Sequence, residues 1–252
     1  MFSACSSSKN IERLFENSEE ISERKFSYEQ IDTLPKPVKN YFKKVLQEGQ
    51  DYISYVRLKH GGKFCTAPDK DPIDIKGEQY FTSETPGFVW IGKTSMFKAV
   101  DHYVNGKGKL KVKVFSLIPV ANSEGFETDQ GELLRWLGES VWFPTNFLPR
   151  EGLSWSAIDD STAKLEYSFK NQNIYYIVRF DENYLIRELE TERYMGDKGL
   201  TKWIGKLDNY KKTNNIIIPH SIQANWLIEG KEFKYADFLI ERIEYDIPEK
   251  MD

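Results

Sequence analysis

The most regular feature of the sequence is an alternation of apolar and polar residues that continues through most of the chain after residue 52. In the segment KGKLKVKVF, Leu110, Val112 and Val114 alternate with lysines. The apolar side chains therefore point to one face of a strand and the lysines to the other. Turn signals such as Asn105-Gly106 separate successive alternating segments. The pattern predicts a long antiparallel meander.

About ten strand candidates follow from the same rules. They lie near residues 53–67, 76–83, 87–94, 97–105, 108–117, 153–158, 162–170, 173–181, 184–194, and 216–228 or 231–246. A flat sheet of that many strands is unfavourable, because strand twist makes it curl or close. We therefore expect an α+β fold that is mainly β. Its long curved antiparallel meander would form an open or incomplete barrel, with about two to three helices covering the concave side.

Two segments instead have the period of a helix. The first begins after Pro35 and Pro37 and ends before Gly49. Its apolar stripe consists of Val38, Tyr41, Phe42, Val45 and Leu46. The second is GELLRWLGESVWFP, residues 131–144, with Asp129 as the expected N-cap and Pro144 as the residue that ends it. Each helix needs an apolar surface to pack against.

The second predicted helix carries two charged residues among aromatic ones. Arg135 and Glu139 are one turn apart and can form an ion pair. Trp136 and Trp142 flank them, so we expect the pair to be partly enclosed, and it then needs hydrogen-bond partners to offset desolvation. Two roles remain open. Either the pair holds in place a helix that closes the open end of the sheet, or the pair contacts a ligand.

Composition and charge limit the functional classes. The chain has 252 residues, 14% aromatic residues and a formal net charge of -4. The aromatic content suits sheets and wide apolar cavities. A net negative charge argues against nucleic-acid binding, which needs a basic patch. There is no run of about 18 apolar residues that could span a membrane. We predict one β-rich domain over residues 27–252.

The first residues, MFSAC, resemble the end of a bacterial lipoprotein signal, in which a lipidated cysteine follows a small residue. Cys5 would then be the lipid anchor, followed by the polar tether SSSKN, although the basic and apolar parts of a signal are missing. We predict residues 1–26 as a tether or signal remnant with a weak helix. The expected location is the cell envelope if the start is truncated, and the cytoplasm otherwise. Cys65 is expected to be a buried free thiol.

Residues with catalytic or metal-binding chemistry give weak signals. His60, His102 and His220 are far apart and lack the spacing of metal ligands. No nucleophile motif occurs, and we predict neither a metal nor a cofactor. The acidic residues Glu188, Glu190 and Glu192 alternate along one strand, which is typical of a solvated face.

Several segments resemble an uncharacterised bacterial family known only as a domain of unknown function. They are LPKPVKNYF, HGGKF, QYFTSETPGFVW, DHYVNGKGKLKVKV, GELLRWLGESVWFPTNFLP, LSWSAID and IPHSIQANW, within residues 27–246. This resemblance implies no activity. The order of helix, meander, inserted helix and further meander also resembles the lipoprotein-carrier fold of the LolA and LolB type. That fold is an incomplete barrel whose helices cover its hollow, and its members hold lipid or acyl chains.

The leading hypothesis is a binding module of the cell envelope that takes up a hydrophobic or lipid-like ligand in the hollow of its sheet. The expected lining is aromatic and comprises Trp90, Trp136, Trp142, Trp155 and Trp226. Arg135 and Glu139 would be the polar anchors that such a site needs. One alternative is an enzyme in which Glu139 is the acid or base and Arg135 sets its charge. Another is a structural protein that docks onto an envelope partner by a sheet edge or apolar patch.

Overall fold

The computed structural model describes residues 2–114 and 118–252, which form three α-helices and thirteen strands. The helices are α1 (Phe2–Glu16), α2 (Lys36–Val45) and α3 (Phe126–Glu139). The strands are β1 (Tyr55–Phe64), β2 (Ile73–Thr82), β3 (Gly87–Lys93), β4 (Phe97–Val104), β5 (Lys107–Val114), β6 (Ile118–Ser123), β7 (Leu153–Ala157), β8 (Thr162–Phe169), β9 (Gln172–Phe180), β10 (Ile186–Tyr194), β11 (Leu200–Thr213), β12 (Ile216–Ile228) and β13 (Lys231–Tyr245).

The strands form one sheet in the order β6-β5-β4-β3-β2-β1-β13-β12-β11-β10-β9-β8-β7. Neighbouring strands such as β1 and β2, or β11 and β12, pair in antiparallel register. Most neighbours in the sheet are also consecutive in the chain, which is the arrangement of a meander. The prediction of a mainly β, antiparallel fold is therefore confirmed.

The chain divides into two compact units. Unit 1 contains residues 1–22, 53–136 and 238–252, and unit 2 contains residues 23–52 and 137–237. Whether residues 27–252 act as one domain stays a prediction.

In unit 1, α1 and α3 pack on opposite faces of the same strands. Val89 and Ile91 of β3 belong to a buried cluster with Leu14 and Phe15 of α1. The alternate residues of β3 point the other way, and there Arg135 of α3 lies over two of their rings. Both faces of β3 are thus buried, which explains why this strand is apolar along most of its length.

In unit 2, α2 covers strand residues with the apolar stripe that the sequence predicts. All five residues of the predicted stripe are buried: Val38, Tyr41, Phe42 and Val45 of the helix, and Leu46 directly after it. The ring of Tyr41 lies 5.9 Å from that of Phe180 at the end of β9. This helix prediction is confirmed, with bounds within a few residues of those expected.

The bounds predicted for α3 are wrong at both ends. The helix begins at Phe126, five residues before the expected start, and Asp129 lies within its first turn. Instead of capping the helix, the Asp129 carboxylate accepts hydrogen bonds from the Gly108 backbone N–H at 2.7 Å and from Lys107. The helix ends at Glu139 in a turn of 3-10 helix, Ser140–Trp142, and Pro144 begins another such turn rather than ending the segment.

The strand predictions are mostly confirmed, and three differences remain. β6 and β11 were not predicted. β12 and β13 both form, where the sequence suggested one or the other.

A two-residue turn joins β4 and β5 at Asn105 and Gly106, as predicted, and both residues have positive φ, 56° and 79°.

The N-terminal region is helical and partly buried. α1 spans Phe2–Glu16, and its residues Ile11, Leu14 and Phe15 are buried. Cys5 falls within α1, but its side chain lies outside the described residues, so its role as an anchor stays a prediction. No helix in residues 2–114 or 118–252 is both long and apolar enough to cross a membrane. Cys65 is a buried free cysteine, as predicted.

Candidate functional site

Arg135 of α3 is held against the sheet of unit 1 by an ion pair and two aromatic rings. Its Nη1 donates a hydrogen bond to Oδ2 of Asp101 on β4 at 2.7 Å, and the two side chains are only 15% and 7% exposed. The guanidinium carbon lies 4.9 Å from the ring centroid of Phe88 and 5.0 Å from that of Trp90. Both contacts are of the cation–π type. The structure therefore brings together two predicted site residues, Arg135 and Trp90.

A buried histidine lies next to this pair. The indole N–H of Trp90 donates to Nε2 of His60 at 2.8 Å, and the Phe238 ring stacks on His60 with centroids 4.3 Å apart. Burial, reinforced by the charge of Arg135, lowers the pKa of His60 to about 4. The imidazole is therefore neutral at pH 7, which agrees with Nε2 acting as an acceptor. We call Arg135, Asp101, Phe88, Trp90 and His60 the Arg135 cluster.

Three of the other predicted lining residues are enclosed in protein. Trp136, Trp142 and Trp155 are at most 9% exposed. Their indole N–H groups donate to backbone carbonyl oxygens, Trp136 to Thr82 at 2.8 Å, Trp142 to Pro219 at 3.2 Å and Trp155 to Phe147 at 2.9 Å. Satisfied N–H groups and deep burial are typical of core tryptophans. Their predicted role as a ligand lining stays a prediction.

The fifth predicted tryptophan, Trp226, belongs to a group of aromatic residues on one face of unit 2. Trp226 of β12 lies directly opposite Trp203 of β11 in the antiparallel register. Tyr235 of β13 joins them, since its hydroxyl accepts from the Trp203 indole N–H at 2.9 Å. Its ring also stacks on Trp226 with centroids 6.1 Å apart and an interplanar angle of 26°. Trp203 is buried, whereas Trp226 and Tyr235 are partly exposed.

A cation lies above this aromatic group. Arg193 of β10 is two residues from Thr191, which pairs with Trp203, so Arg193 and Trp203 share one face of the sheet. The guanidinium carbon lies 5.7 Å from the Trp203 ring centroid and 5.9 Å from that of Trp226. We call Arg193, Trp203, Trp226 and Tyr235 the aromatic face of unit 2. It combines apolar surface with a positive charge.

The end of α3 approaches the same face. A Cβ on Gly138 would lie only 2.8 Å from the Tyr176 hydroxyl, so only a glycine leaves room for that side chain. The Tyr176 ring meets Trp203 edge-on at 6.1 Å. Burial raises the pKa of Tyr176, the charge of Arg193 opposes the shift, and the charge of Glu139 adds to it. Glu139, a predicted anchor, therefore contributes to the electrostatics of this group.

Sequence analysis missed three residues of the aromatic face as site residues: Arg193, Trp203 and Tyr235. Trp203 lies in β11, which was not predicted, and Tyr235 lies in a strand offered only as an alternative. A usable signal was the cluster of aromatic residues at Trp203, Trp226 and Tyr235 in consecutive segments.

The other candidate residues have structural partners. Arg179 forms ion pairs with Glu188 at 2.8 Å and with Glu190 at 3.1 Å, and Lys202 also pairs with Glu190 at 2.7 Å. These contacts agree with the predicted solvated face. Within the part of the chain that the structure describes, no group of three or more His, Cys, Asp or Glu residues could hold a metal ion.

Comparison with known families gives a match over most of the chain. The family described as "Family of unknown function (DUF6544)" matches residues 24–238. The chain belongs to this family. The predicted membership in a family of unknown function is thereby confirmed. Comparison with curated protein sequences gives no match.

Two solved structures are similar to the chain. One is a LolA superfamily protein from Nitrosomonas europaea, with a TM-score of 0.45 and 12% sequence identity over 77% of this chain and 87% of that one. The other is a putative outer membrane lipoprotein-sorting protein domain from Vibrio parahaemolyticus, with a TM-score of 0.43 and 10% identity over 76% of this chain and 85% of that one.

Proposed function

We propose that the protein binds an apolar, lipid-like molecule on the aromatic face of unit 2. The observation that supports this is the cross-strand pair of Trp203 and Trp226, extended by the Tyr235 ring and overlain by Arg193. Trp226 and Tyr235 are partly exposed, so their rings offer apolar surface to a ligand. Removing such surface from water is the main driving force for binding apolar molecules.

Arg193 defines the polar end of the proposed ligand. A guanidinium presents a planar set of donors that matches a carboxylate or phosphate. A single-chain fatty acid meets both requirements, with its chain on the indole rings and its carboxylate at Arg193. We infer that an acid binds more tightly than the neutral alcohol of the same chain length.

The test is a titration with cis-parinaric acid, a fluorescent fatty acid, monitored by its emission. Trp226→Ala should weaken binding by about tenfold or more, as expected for a central aromatic contact. Tyr175→Ala is the matched control. Tyr175 is also a partly exposed aromatic residue, but it is adjacent to Tyr176 on β9 and therefore points to the opposite face.

A second comparison tests the role of Arg193. Arg193→Met retains an apolar stem of similar length and removes the charge. It should weaken binding of palmitic acid more than binding of hexadecanol. The proposal fails if the wild-type protein binds no parinaric acid, or if Trp226→Ala and Tyr175→Ala bind it equally.

Envelope location and lipid attachment at Cys5 belong to the same proposal. Their basis is the lipoprotein-like segment MFSAC. Feeding cells an alkyne fatty acid should label the full gene product, and Cys5→Ser should remove the label. Labelling that persists in Cys5→Ser would contradict attachment at this residue.

The acid–base hypothesis for Glu139 and Arg135 is supported less directly. Arg135 donates to Asp101 and lies over two aromatic rings, contacts that position a helix. A Glu139→Gln variant that keeps its fold and loses a measurable turnover would favour catalysis. The hypothesis of a protein that docks onto an envelope partner is tested by crosslinking in cells, which should capture that partner.

A further inference from the structure

Unit 1 contains a cleft of about 460 Å³ beside the hairpin that joins β4 and β5. This volume falls within the range of small-molecule sites. Most of the charged or titratable side chains that line it are basic. The basic ones are Arg13 of α1, His102 of β4, and Lys107 and Lys109 of β5. The two acidic ones, Glu124 and Asp129, lie near the start of α3.

The strand register places the basic residues on one face of the hairpin. His102 lies directly opposite Lys109, and Val104 lies opposite Lys107. Side chains in such cross-strand positions are neighbours, and like charges there repel one another. The sequence alone suggested only that Lys107 and Lys109 lie on the solvent-exposed face of a strand. In the fold, this face is turned toward α1.

α1 brings a further cation to the same face. Arg13 is one turn from Asn17, whose Oδ1 accepts a hydrogen bond from Asn105 Nδ2 at the hairpin turn, at 3.2 Å. This contact fixes the helix beside the hairpin. Arg13 is exposed at the surface of α1, and its guanidinium makes no ion pair or hydrogen bond to another residue of the described ranges.

The charges in the cleft do not balance. Lys107 pairs with Asp129 at 2.9 Å, and Lys109 pairs with Glu124. Each carboxylate is therefore engaged by a lysine, and the positive charge of Arg13 is left over. Nδ1 of His102 is enclosed, and it has no hydrogen-bond partner within residues 2–114 or 118–252. The cleft, which His102 also lines, thus has surplus positive charge.

The electrostatics at His102 agree with this count. Burial lowers the pKa of His102, and the charges of Lys111, Lys109 and Arg13 lower it further, while Asp101 opposes them. A bound anion would oppose the effect of these cations and so raise the pKa of His102. The amino end of α3 adds to the positive potential, because Gly125, which immediately precedes the helix, also lines the cleft.

We propose that this cleft binds a phosphate group, carried by a soluble phosphate ester or by a lipid headgroup. A phosphate offers several acceptor oxygens in different directions, which matches the cationic donors of α1 and β5 better than the two oxygens of a carboxylate do. The site shares no residue with the aromatic face of unit 2. The inference therefore does not depend on fatty-acid binding.

The test is a calorimetric titration of the full chain with glycerol 3-phosphate. Arg13→Gln should weaken binding by about tenfold, since it removes one charged donor set. Lys9→Gln makes the same change in charge on α1, one turn from Arg13, but Lys9 is exposed and does not line the cleft. It should bind within about twofold of the wild type, because an exposed charge outside the site is screened by salt.

A parallel measurement follows the His102 imidazole by NMR. Glycerol 3-phosphate should raise the pKa of His102 in the wild type and in Lys9→Gln, and much less in Arg13→Gln. Lys107→Gln is a second variant, and it should fold like the wild type because the Lys107 side chain is 81% exposed. It should also weaken binding.

Vesicles distinguish the two sources of phosphate. Binding of glycerol 3-phosphate that is lost in Arg13→Gln supports a soluble ester. Binding only to vesicles that contain phosphatidic acid, again lost in Arg13→Gln, supports a lipid headgroup. If neither ligand binds, or if folded Arg13→Gln and Lys107→Gln bind as tightly as the wild type, the proposal is overturned.

Discussion

Arg135 and Asp101 illustrate how one buried ion pair depends on both partners. Their side chains are 15% and 7% exposed, so each charge has lost most of its hydration. Asp101→Ala should lower the free energy of unfolding by about 3 kcal/mol, because it removes a hydrogen-bonded carboxylate from a guanidinium that is only 15% exposed. The double variant Arg135→Met, Asp101→Leu should recover most of that loss. Urea unfolding measures both.

An exposed ion pair of the same length is the control. Lys63 and Asp74 lie 2.7 Å apart, and their side chains are 57% and 89% exposed. Asp74→Ala should therefore cost less than about 1 kcal/mol. If Asp101→Ala costs no more than Asp74→Ala, burial of the Arg135 pair contributes nothing to stability.

The same pair shows what sequence can reveal at the residue scale. A partner one helical turn away, Glu139, is visible in the sequence of α3. Asp101 lies 34 residues earlier and reaches Arg135 only through the register of β3 and β4. Trp90 was predicted to share a site with Arg135, but neither Phe88 nor Asp101, the partner across the sheet, was predicted.

At the scale of elements, α1 determines whether the N-terminal region acts as a tether or as part of unit 1. Leu14 is 2% exposed, and a Cβ on Gly87 of β3 would lie 2.6 Å from its Cδ1, so helix and strand are closely packed. Leu14→Ala should lower the free energy of unfolding by about 3 kcal/mol. It should also speed hydrogen exchange of the β3 amides.

Glu12 provides the control for that substitution. It lies on the exposed side of α1, so Glu12→Ala should change stability by less than about 0.5 kcal/mol. Equal and small effects of both substitutions would mean that α1 is a tether in solution and does not contribute to the core.

Elements that sequence analysis missed have weak or broken patterns. In β11, Trp203, Ile204 and Gly205 are consecutive buried residues, so apolar and polar positions do not alternate there. The strand forms because it pairs with β10 on one side and β12 on the other. Pairing with neighbours supplies information that the period of a single segment lacks.

The start of α3 was misplaced for a related reason. Its first turn contains the exposed Phe126 and polar residues, and the apolar stripe begins only near Leu133. Asp129 has the composition of an N-cap, but its carboxylate bonds to β5 instead. A helix turn stabilised by a strand contact gives no apolar period in the sequence.

For the molecule as a whole, the buried titratable groups determine how stability depends on pH. The folded-state pKa of His60 is about 4, below its ordinary 6.5, so the folded protein binds fewer protons at His60 than the unfolded chain. This contribution is complete above pH 6.5 and is lost as the pH falls toward 4. The lowered pKa of His102 acts in the same direction.

Asp246 acts in the opposite direction. Burial raises the pKa of its carboxyl above the ordinary 3.8, which favours the folded state on acidification. This effect operates between pH 3.8 and the raised pKa of Asp246, whereas that of His60 begins near pH 6.5. Two histidines have a lowered pKa and one carboxyl has a raised one, so we expect the histidines to dominate the change in stability as the pH falls from 6.5 to 5.

We predict that His60 alone lowers the free energy of unfolding by about 2 kcal/mol between pH 7.5 and pH 5.0, at about 1.4 kcal/mol per pH unit below 6.5, and that His102 adds a smaller loss. His60→Gln retains an acceptor for the Trp90 indole but cannot be protonated, so it should remove most of this loss. His102→Gln should remove a smaller part, because His102 is less buried. Any cost of His60→Gln to packing is common to both pH values, so it cancels in the difference. An unchanged pH dependence in His60→Gln would show that His60 is not held neutral by its burial beside Arg135.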